Sequence, residues 1–235
     1  MGEFYLLRTD SDPKILGVKN GGKQASIKRS GYTEPQKYDE LIRVIGTNYY
    51  WENKHEFLDF DFDIQCVEML PQANMTNFLH FGPYLRDCPF LISQKLFEVI
   101  SKKNICSHRF FPATVIDTDS EYKFMMLLIQ DLEHQVVDFS KSTYRSPFDV
   151  AENNFFSFHS NEEKERFAIQ NSGLIGDSIY LNHFFDKSLD LFSLQDVGLV
   201  VSRNLKTELE MLGLVSGVKF LPAFGDVAWP KIKIL

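Results

Sequence analysis

Cysteine is scarce in this sequence, and its spacing excludes the common cysteine-based sites. Three cysteines are spread over 235 residues and form no CxxC pair: Cys66, Cys88 and Cys106. An odd number is a poor basis for a disulfide framework. Each lies among apolar residues, which is typical of small buried side chains in a reducing compartment. We therefore expect a cytoplasmic protein whose cysteines belong to the core.

Long apolar runs are missing as well. The stretch from Met1 to Leu7 carries Glu3 where an export signal needs a basic residue, and it is too short to cross a membrane. Gly2 does not predict myristoylation, because Leu6 occupies the position that requires serine or threonine. We expect neither export nor membrane contact.

The local motifs of common catalytic and cofactor sites are also absent. The six histidines have neither HxxxH nor HExxH spacing, and the sequence contains no GxSxG elbow and no dinucleotide fingerprint. Residues 17–24 come within one position of a phosphate-binding loop. Gln24, however, cannot supply the required hydroxyl, and Gly31 interrupts the helix that should follow. The prediction is a flexible basic loop there, with no cofactor and no metal in the protein.

The charge balance disfavours nucleic acid as a partner. Thirty-two acidic residues against 25 lysines and arginines give a formal charge of -7. A nucleic-acid binder normally carries a basic face. Acidity of this size favours a basic partner, or it serves only to keep the protein soluble. Twenty-two phenylalanines, within 44% hydrophobic residues, predict a core rich in aromatic contacts.

What the sequence does contain is one pattern written twice, at about residues 88–117 and 197–224. Each copy has an apolar run, a serine, an amphipathic segment and a second apolar run. Continuous apolar residues are typical of strands buried on both faces. The copies therefore predict a duplicated strand-helix-strand unit.

The serines and the helix ends define each unit. Ser93 and Ser202 are expected to cap helices by accepting hydrogen bonds from first-turn amides. Apolar residues four positions apart then share one helical face. The helices are expected to end at Asn104 and Gly213, two residue types that readily adopt the left-handed conformation. The pattern predicts a scaffold and carries no chemistry of its own.

The rest of the chain predicts mostly strands, and hence an α+β fold with mixed or largely antiparallel sheets and a few short helices. We expect a single domain over residues 1–235, because no proline- or serine-rich linker separates the halves. A loop with short strands is expected over 9–32, a linker or long excursion over 146–160, and an exposed helix over 161–170. The predicted strands are 4–7, 57–69, 122–128, 135–139, 179–185 and 190–194.

The strand predicted over 57–69 alternates strongly between apolar and acidic residues. Its polar face would carry Asp59, Asp61 and Asp63. Such a row is an ordinary solvated face, an acidic stripe that binds a partner, or a cation site. The cation site is the weakest of the three, because calcium loops need a glycine turn and a distal glutamate.

Three stretches of the sequence resemble a family of bacterial polymorphic toxin systems, the immunity protein eleven family, formerly a domain of unknown function. Residues 88–93 and the helix after them are similar to the family's first strand and capped helix. Residues 122–142 are similar to its central hairpin, which ends in an aspartate shortly before Lys-Ser, here Asp138. Residues 191–220 are similar to its carboxy-terminal signature, so that the resemblance covers about residues 85–224.

The resemblance implies a binding protein without catalytic residues that neutralises a cognate toxin of the same cell. On this hypothesis Asp59, Asp61 and Asp63 are the candidate toxin-binding residues, and the toxin carries a basic surface. Two alternatives stay open. One is an enzyme whose site is assembled from scattered residues such as Glu133, His134 and Asp138. The other is an adaptor or effector that binds a different protein.

Overall fold

The computed structural model describes residues 4–19, 22–47, 49–53, 60–85, 87–148, 154–171, 173–224 and 230–235. The protein has an α+β fold with mixed and antiparallel sheets, as predicted. Within those ranges, every helix is too short or too polar to span a bilayer.

The helices are short, and most begin at a recognisable cap. Ser160, for example, accepts a hydrogen bond from the amide of Glu163 at 3.3 Å. The helix Pro35–Ile45 was not predicted, although Pro35 at its start and three buried apolar residues on one face are its sequence signals. The helices are α1 (Pro13–Leu16), α2 (Pro35–Ile45), α3 (Tyr49–Glu52), α4 (Gln94–Ile100), α5 (Asn161–Gln170) and α6 (Arg203–Met211).

The strands form three sheets with the orders β11-β12-β1-β13, β14-β10-β9 and β4-β6-β8-β7-β3-β2-β5. Their bounds are β1 (Phe4–Thr9), β2 (Ala25–Ile27), β3 (Ile64–Met69), β4 (Phe78–Leu79), β5 (Phe81–Gly82), β6 (Phe90–Ser93), β7 (His108–Asp117), β8 (Ser120–Ile129), β9 (Thr143–Arg145), β10 (Ile175–Leu181), β11 (Leu191–Leu194), β12 (Gly198–Ser202), β13 (Val218–Pro222) and β14 (Lys231–Ile234).

The largest sheet closes on itself through residues 78–82. Its first strand, β4, pairs with β6, and its last strand, β5, pairs with β2. These two strands are separated in the chain by His80 alone, so one short segment joins both edges of the sheet. Gln24 holds the junction from inside, since its buried side-chain carbonyl accepts a hydrogen bond from the His80 amide at 3.1 Å. Gln24, which occupies the last position of the near phosphate-loop motif, therefore has a structural role.

Two hydrophobic cores lie on the two faces of β6 and β8. Successive residues of a strand point to opposite faces. Leu91 and Met126 therefore face one core, which the closed sheet shares with α2, and Ile92 and Leu127 face the other. The second core is the larger, and it draws residues from both ends of the described chain, from Phe4 to Ile232.

The two predicted units have the same local topology. In the first, β6 and β7 lie on either side of β8 and antiparallel to it, with α4 between them in the chain. In the second, β12 and β13 lie on either side of β1 in the same way, with α6 between them. A further antiparallel strand flanks each unit, β4 on β6 and β11 on β12. The central strand of the first unit is β8, which follows the unit in the chain, whereas the central strand of the second unit is β1, at the amino-terminal end. An origin of the two units by duplication stays a prediction.

The two units also exchange matching hydrogen bonds. Ser93 donates its amide to the carbonyl of Asn77 at 2.9 Å, and Ser202 donates its amide to the carbonyl of Asp190 at 2.8 Å. Asn77 is held in turn by Ser216, which follows the helix of the other unit, and Asp190 donates its amide to Asn104, which follows the first unit's helix. Each unit therefore fixes the start of the other's flanking strand.

The predicted serine caps are confirmed, but one predicted helix end is wrong. Ser93 and Ser202 accept hydrogen bonds from the amides of Leu96 and Leu205, at 3.3 and 3.1 Å. Gly213 is left-handed, with φ of 67°. α4 instead ends at Ile100, before Asn104. Asn104 lies beyond the helix, where its side chain donates a hydrogen bond to Ser188 at 2.7 Å, and its φ is not positive.

Three further predictions need correction. Residues 135–139 form no strand, because a 3-10 turn over His134–Val136 and a side-chain cap by Asp138 bend the chain. The strand predicted over 179–185 lies earlier, at β10. Of the strand predicted over 57–69, residues 57–59 lie outside the described residues, and the described strand begins at Ile64. Residues 60–63 contact β7 through side chains and make no ladder with it. The remaining strands and α5 lie where the sequence predicts, within a few residues.

Candidate functional site

The acidic residues predicted to bind a partner lie just before β3. Asp61 and Asp63 are exposed, on either side of the buried Phe62. Phe62 packs edge-on against Phe111 of β7, with ring centroids 5.4 Å apart. This aromatic contact fixes the segment in place of a backbone ladder, and it directs the two flanking carboxylates to solvent. Asp59 lies outside the described residues. We call Asp61 and Asp63 the acidic rim.

Each carboxylate of the acidic rim has a weak local contact. The Asp61 side chain is 90% exposed, and its Oδ1 lies 3.9 Å from Nη2 of Arg109. Oδ2 of Asp63 accepts a hydrogen bond from the side-chain amide of Gln65 at 3.4 Å. Exposed ion pairs contribute little to stability, because water screens them. Both carboxylates can therefore exchange these contacts for better ones.

A small cavity of about 90 Å³ lies beneath the acidic rim, and we call it the Tyr32 pocket. Helix α2 supplies one wall and the segment before β3 supplies the other. Lys37 lines it, but the Lys37 ammonium already pairs with Glu34 at 2.8 Å, and this contact raises the pKa of Lys37. The lining residues are Tyr32, Lys37, Glu40, Leu41, Asp61, Phe62, Asp63 and Ile64.

Tyr32 lines this pocket, and its hydroxyl is buried. The residue is 5% exposed, and no described residue gives its hydroxyl a hydrogen bond of normal geometry. Burial raises the pKa of Tyr32, and the charge of Asp63 acts in the same direction, while a long backbone hydrogen bond from Gln65 lowers it. A buried polar atom without a partner is unfavourable. The hydroxyl is thus a neutral, fully buried group at the edge of the pocket.

A larger cleft, of about 760 Å³, lies where the ends of β1, β6 and β8 meet the turn between β11 and β12. Its volume is within the usual range of small-molecule sites. Arg8 enters the cleft and donates from Nη2 to the carbonyl of Val197 at 2.7 Å, and burial lowers the pKa of Arg8. Asp131 accepts a hydrogen bond from Ser193 at 2.6 Å. The Arg8 contact lies within one sheet, and the Asp131–Ser193 hydrogen bond connects that sheet to the largest one. The cleft therefore has the size of a ligand site, while Arg8 and Asp131 serve the fold.

Behind this cleft lies a buried ion pair that the sequence did not reveal. Lys164 of α5 is 3% exposed, and its Nζ lies 2.5 Å from Oδ2 of Asp196 and 3.1 Å from Oε1 of Glu165. Burial raises the pKa of Asp196, although the Lys164 charge opposes the shift. The helix predicted to be exposed thus has one deeply buried cation. The pair fastens α5 to the β11–β12 turn.

The acid/base set of the enzyme alternative does not line a deep pocket. Glu133 and His134 are exposed. Asp138 caps a turn, since its carboxylate accepts hydrogen bonds from the Ser140 hydroxyl at 2.7 Å and from the Lys141 amide at 3.3 Å. The Ser140 and Lys141 contacts hold the pKa of Asp138 below its usual range, against a small opposing effect of burial. The three groups therefore do structural or solvent-facing work.

The cysteines are buried and unpaired, as expected of core residues. Burial raises the pKa of Cys106 to about 11 and raises that of Cys88, so both remain thiols near neutral pH. Across the described ranges, no three side chains of histidine, cysteine, aspartate or glutamate come close enough to hold a metal ion.

Neither the models of known protein families nor the curated proteins give a match to this chain. The resemblance to immunity proteins therefore stays a prediction.

The sequence pattern predicts the exposure of Asp61 and Asp63, but it does not predict the pocket below them. Tyr32 and Glu40 carry no motif, and they reach the rim only because α2 packs beside the segment before β3. The spacing of Lys37 and Glu40, three residues apart, would have placed both on one face of α2 had that helix been predicted.

Proposed function

We propose that this chain is an immunity protein, which binds a cognate bacterial toxin and masks the toxin's active or substrate-binding surface. The observation that carries the proposal is the acidic rim: Asp61 and Asp63 project to solvent from a segment that aromatic packing holds in place. The net charge of -7 acts in the same direction. The resemblance described above provides the biological setting.

A toxin with a basic surface fits the acidic rim. Toxins that act on nucleic acids present basic clefts, and opposite charges accelerate association and select the correct orientation. Stable complexes of this kind bury about 800 Å² on each partner. The rim would occupy the centre of such an interface, where carboxylates replace the charges of the toxin's substrate.

Co-expression with the toxin encoded beside this gene tests the proposal. We expect cells to survive toxin induction when the wild-type protein is present. The double variant Asp61→Asn/Asp63→Asn should protect less, because it removes the complementary charge. The matched control is Asp119→Asn/Glu121→Gln, which makes the same charge change at exposed positions of the β7–β8 hairpin.

Cells that die equally fast with and without the wild-type protein would refute the proposed function. Equal loss of protection in the rim variant and the hairpin control would show that overall charge matters and that the rim itself does not.

A further inference from the structure

We propose that the cleft of about 760 Å³ binds a small zwitterion with an apolar body, a dipeptide whose two ends are free. The Arg8 guanidinium would hold the carboxylate of this ligand, and the Asp131 carboxylate would hold its ammonium. The inference goes beyond the proposed function and does not rest on it, because different elements form the cleft and the acidic rim. Three features carry it: two opposite charges without counterions, the open atoms of both, and the apolar walls between them.

Arg8 brings a cation into the cleft that no described carboxylate pairs with. Its only hydrogen bond to the described chain runs from Nη2 to the Val197 carbonyl, while Nε and Nη1 make none and are not sealed from solvent. A Cβ at Gly198 would lie 2.8 Å from Nη1, so this nitrogen lies over the turn backbone that lines the cleft. A half-buried charge without a counterion is unfavourable, and a bound carboxylate would relieve it with two N–H donors.

Asp131 supplies the opposite charge from the largest sheet. Its Oδ1 accepts a hydrogen bond from the Ser193 hydroxyl at 2.6 Å. Its Oδ2 has no described partner and is open to solvent, although the residue as a whole is half-buried. The hydroxyl contact connects the sheets but leaves the charge uncompensated. A ligand ammonium can therefore bind at Oδ2 without breaking the contact that the fold uses.

The two charges do not neutralise each other, since no ion pair joins Arg8 to Asp131. The sheet register explains their separation. Asp131 bridges to Ser193 of β11, and β12 lies between β11 and β1. Three strand spacings of about 4.8 Å place the backbones of the two residues about 14 Å apart. A ligand with opposite charges at its two ends can contact both side chains, whereas a simple anion or cation satisfies only one.

The other described carboxylates of the cleft already have partners. Asp196 pairs with the buried Lys164 ammonium at 2.5 Å. Asp87 accepts a hydrogen bond from the Tyr50 hydroxyl. These two groups therefore do not compete with Asp131 for the ligand ammonium as open sites would.

Apolar side chains form the walls between the two charges. Leu7, Phe90 and Leu199 line the cleft and are buried, and Tyr84 adds an aromatic ring that is 76% exposed. The volume is within the usual range of small-molecule sites and far exceeds the space that one ion or water molecule needs. Burial of apolar ligand side chains against these walls adds binding free energy that a bare zwitterion lacks.

Calorimetric titration of the full-length wild-type protein near pH 7 tests the cleft with four probes. Leucyl-leucine should bind with a dissociation constant on the order of 0.1 mM. Leucyl-leucine amide lacks the carboxylate and N-acetyl-leucyl-leucine lacks the ammonium, so each should bind about ten- to a hundredfold more weakly. Glycyl-glycine keeps both charges without the apolar side chains, and it should bind at least about tenfold more weakly.

Two variants assign each charge of the ligand to its residue. In Arg8→Gln, leucyl-leucine and its amide should bind equally weakly, because the group that distinguishes them is gone. In Asp131→Asn, leucyl-leucine and its N-acetyl form should bind equally weakly for the same reason. The matched controls Lys102→Gln and Asp119→Asn make the same charge changes at exposed positions and should leave all four affinities unchanged.

No binding of leucyl-leucine, or equal binding of all four probes, would overturn the proposal on the wild-type protein alone. It would also fail if folded Arg8→Gln still preferred leucyl-leucine to its amide, or if amide shifts in NMR spectra placed the dipeptide away from Ser193 and Leu199. Protection in the co-expression assay has no bearing on these outcomes, so failure of the cleft and failure of the immunity function are distinguishable.

Discussion

Replacing Lys164 with methionine tests the structural role that we assign to the buried ion pair. Methionine keeps most of the volume of the lysine stem but removes the charge. The Lys164 side chain is 3% exposed and that of Asp196 is 18% exposed, with 2.5 Å between Nζ and Oδ2. The variant therefore leaves a carboxylate largely buried and without its main partner.

The expected loss is large for a single substitution. Breaking a buried pair by removing one partner costs about 3–5 kcal/mol of unfolding free energy. Because a change of 1 kcal/mol moves the melting temperature by about 2–4 °C in a chain of this size, the variant should melt roughly 6–20 °C lower. Urea unfolding followed by circular dichroism measures the free energy directly.

The double variant Lys164→Met/Asp196→Asn removes both charges, and it therefore distinguishes the effect of charge pairing from that of the surrounding packing. Asp196 is left-handed, with φ of 65°, and asparagine tolerates that conformation, so the second change removes charge without straining the turn. We expect the double variant to recover most of the loss. If Lys164→Met costs less than about 1 kcal/mol, or if the two single losses simply add, the charge of Lys164 does not hold the turn as we describe.

The pH dependence of the Lys164→Met variant has a definite sign. Burial raises the pKa of Asp196 above its unfolded value. Ionisation of the Asp196 carboxylate therefore lowers the free energy of unfolding as the pH rises from its unfolded to its folded pKa, and acidification restores it. Removing Lys164 raises the pKa further. The difference in stability between wild type and variant should shrink as the pH falls, and a difference that grows on acidification would contradict the assignment.

Three further predictions test the helix caps, a strained glycine and a buried histidine. Ser93→Ala and Ser202→Ala should each lower the unfolding free energy by about 0.5–2 kcal/mol in urea titrations, because each removes a helix cap; no change in either would refute the capping role. Gly217→Ala should destabilise the protein more than either serine variant, because φ of Gly217 is 96° and a Cβ there would lie 2.0 Å from the Phe78 carbonyl oxygen. A melting curve measures the loss, and an unchanged melting temperature would contradict it. Burial lowers the pKa of His80 in the folded protein. The free energy of unfolding should therefore be highest above the pKa of an unfolded histidine, about 6.5, and should fall as the pH drops below it. His80→Gln should flatten that decline when unfolding is measured as a function of pH.

The parts of the fold that local physics determines were predictable from the sequence. An apolar run followed by serine predicts a strand and a capped helix, because the strand ends where the hydroxyl can satisfy the first helical amides. A strand and a serine-capped helix form at both Ser93 and Ser202. The alternation of buried and exposed residues before β3 was also correct where it is described, from Asp61 to Cys66.

The parts that depend on distant partners were not predictable. Nothing in Phe78 or Phe81 indicates that two-residue strands join both edges of one sheet, because the partners lie in β6 and β2. The position of β1 between β12 and β13 likewise depends on contacts across almost the whole chain. The alternation of apolar and acidic residues predicts strand pairing over residues 60–63, but aromatic packing holds that segment without a ladder.

The candidate site also has one part that the sequence predicts and one part that it does not. Composition and alternation pointed to Asp61 and Asp63, because exposed carboxylates are visible in a sequence pattern. The Tyr32 pocket needed the structure, since its hydroxyl, its α2 wall and its acidic rim come from separate segments. Lys164 reads as one charge among many in a polar helix, and only tertiary packing buries it.

The most direct test of the account is the binding of the purified protein to the toxin domain encoded by the adjacent open reading frame, measured by calorimetry at low and physiological salt. We predict a one-to-one complex with nanomolar affinity that weakens with salt, and a marked loss of affinity in Asp61→Asn/Asp63→Asn that the Asp119→Asn/Glu121→Gln control does not show. The absence of binding by the wild-type protein, or equal binding by the rim variant, would contradict it.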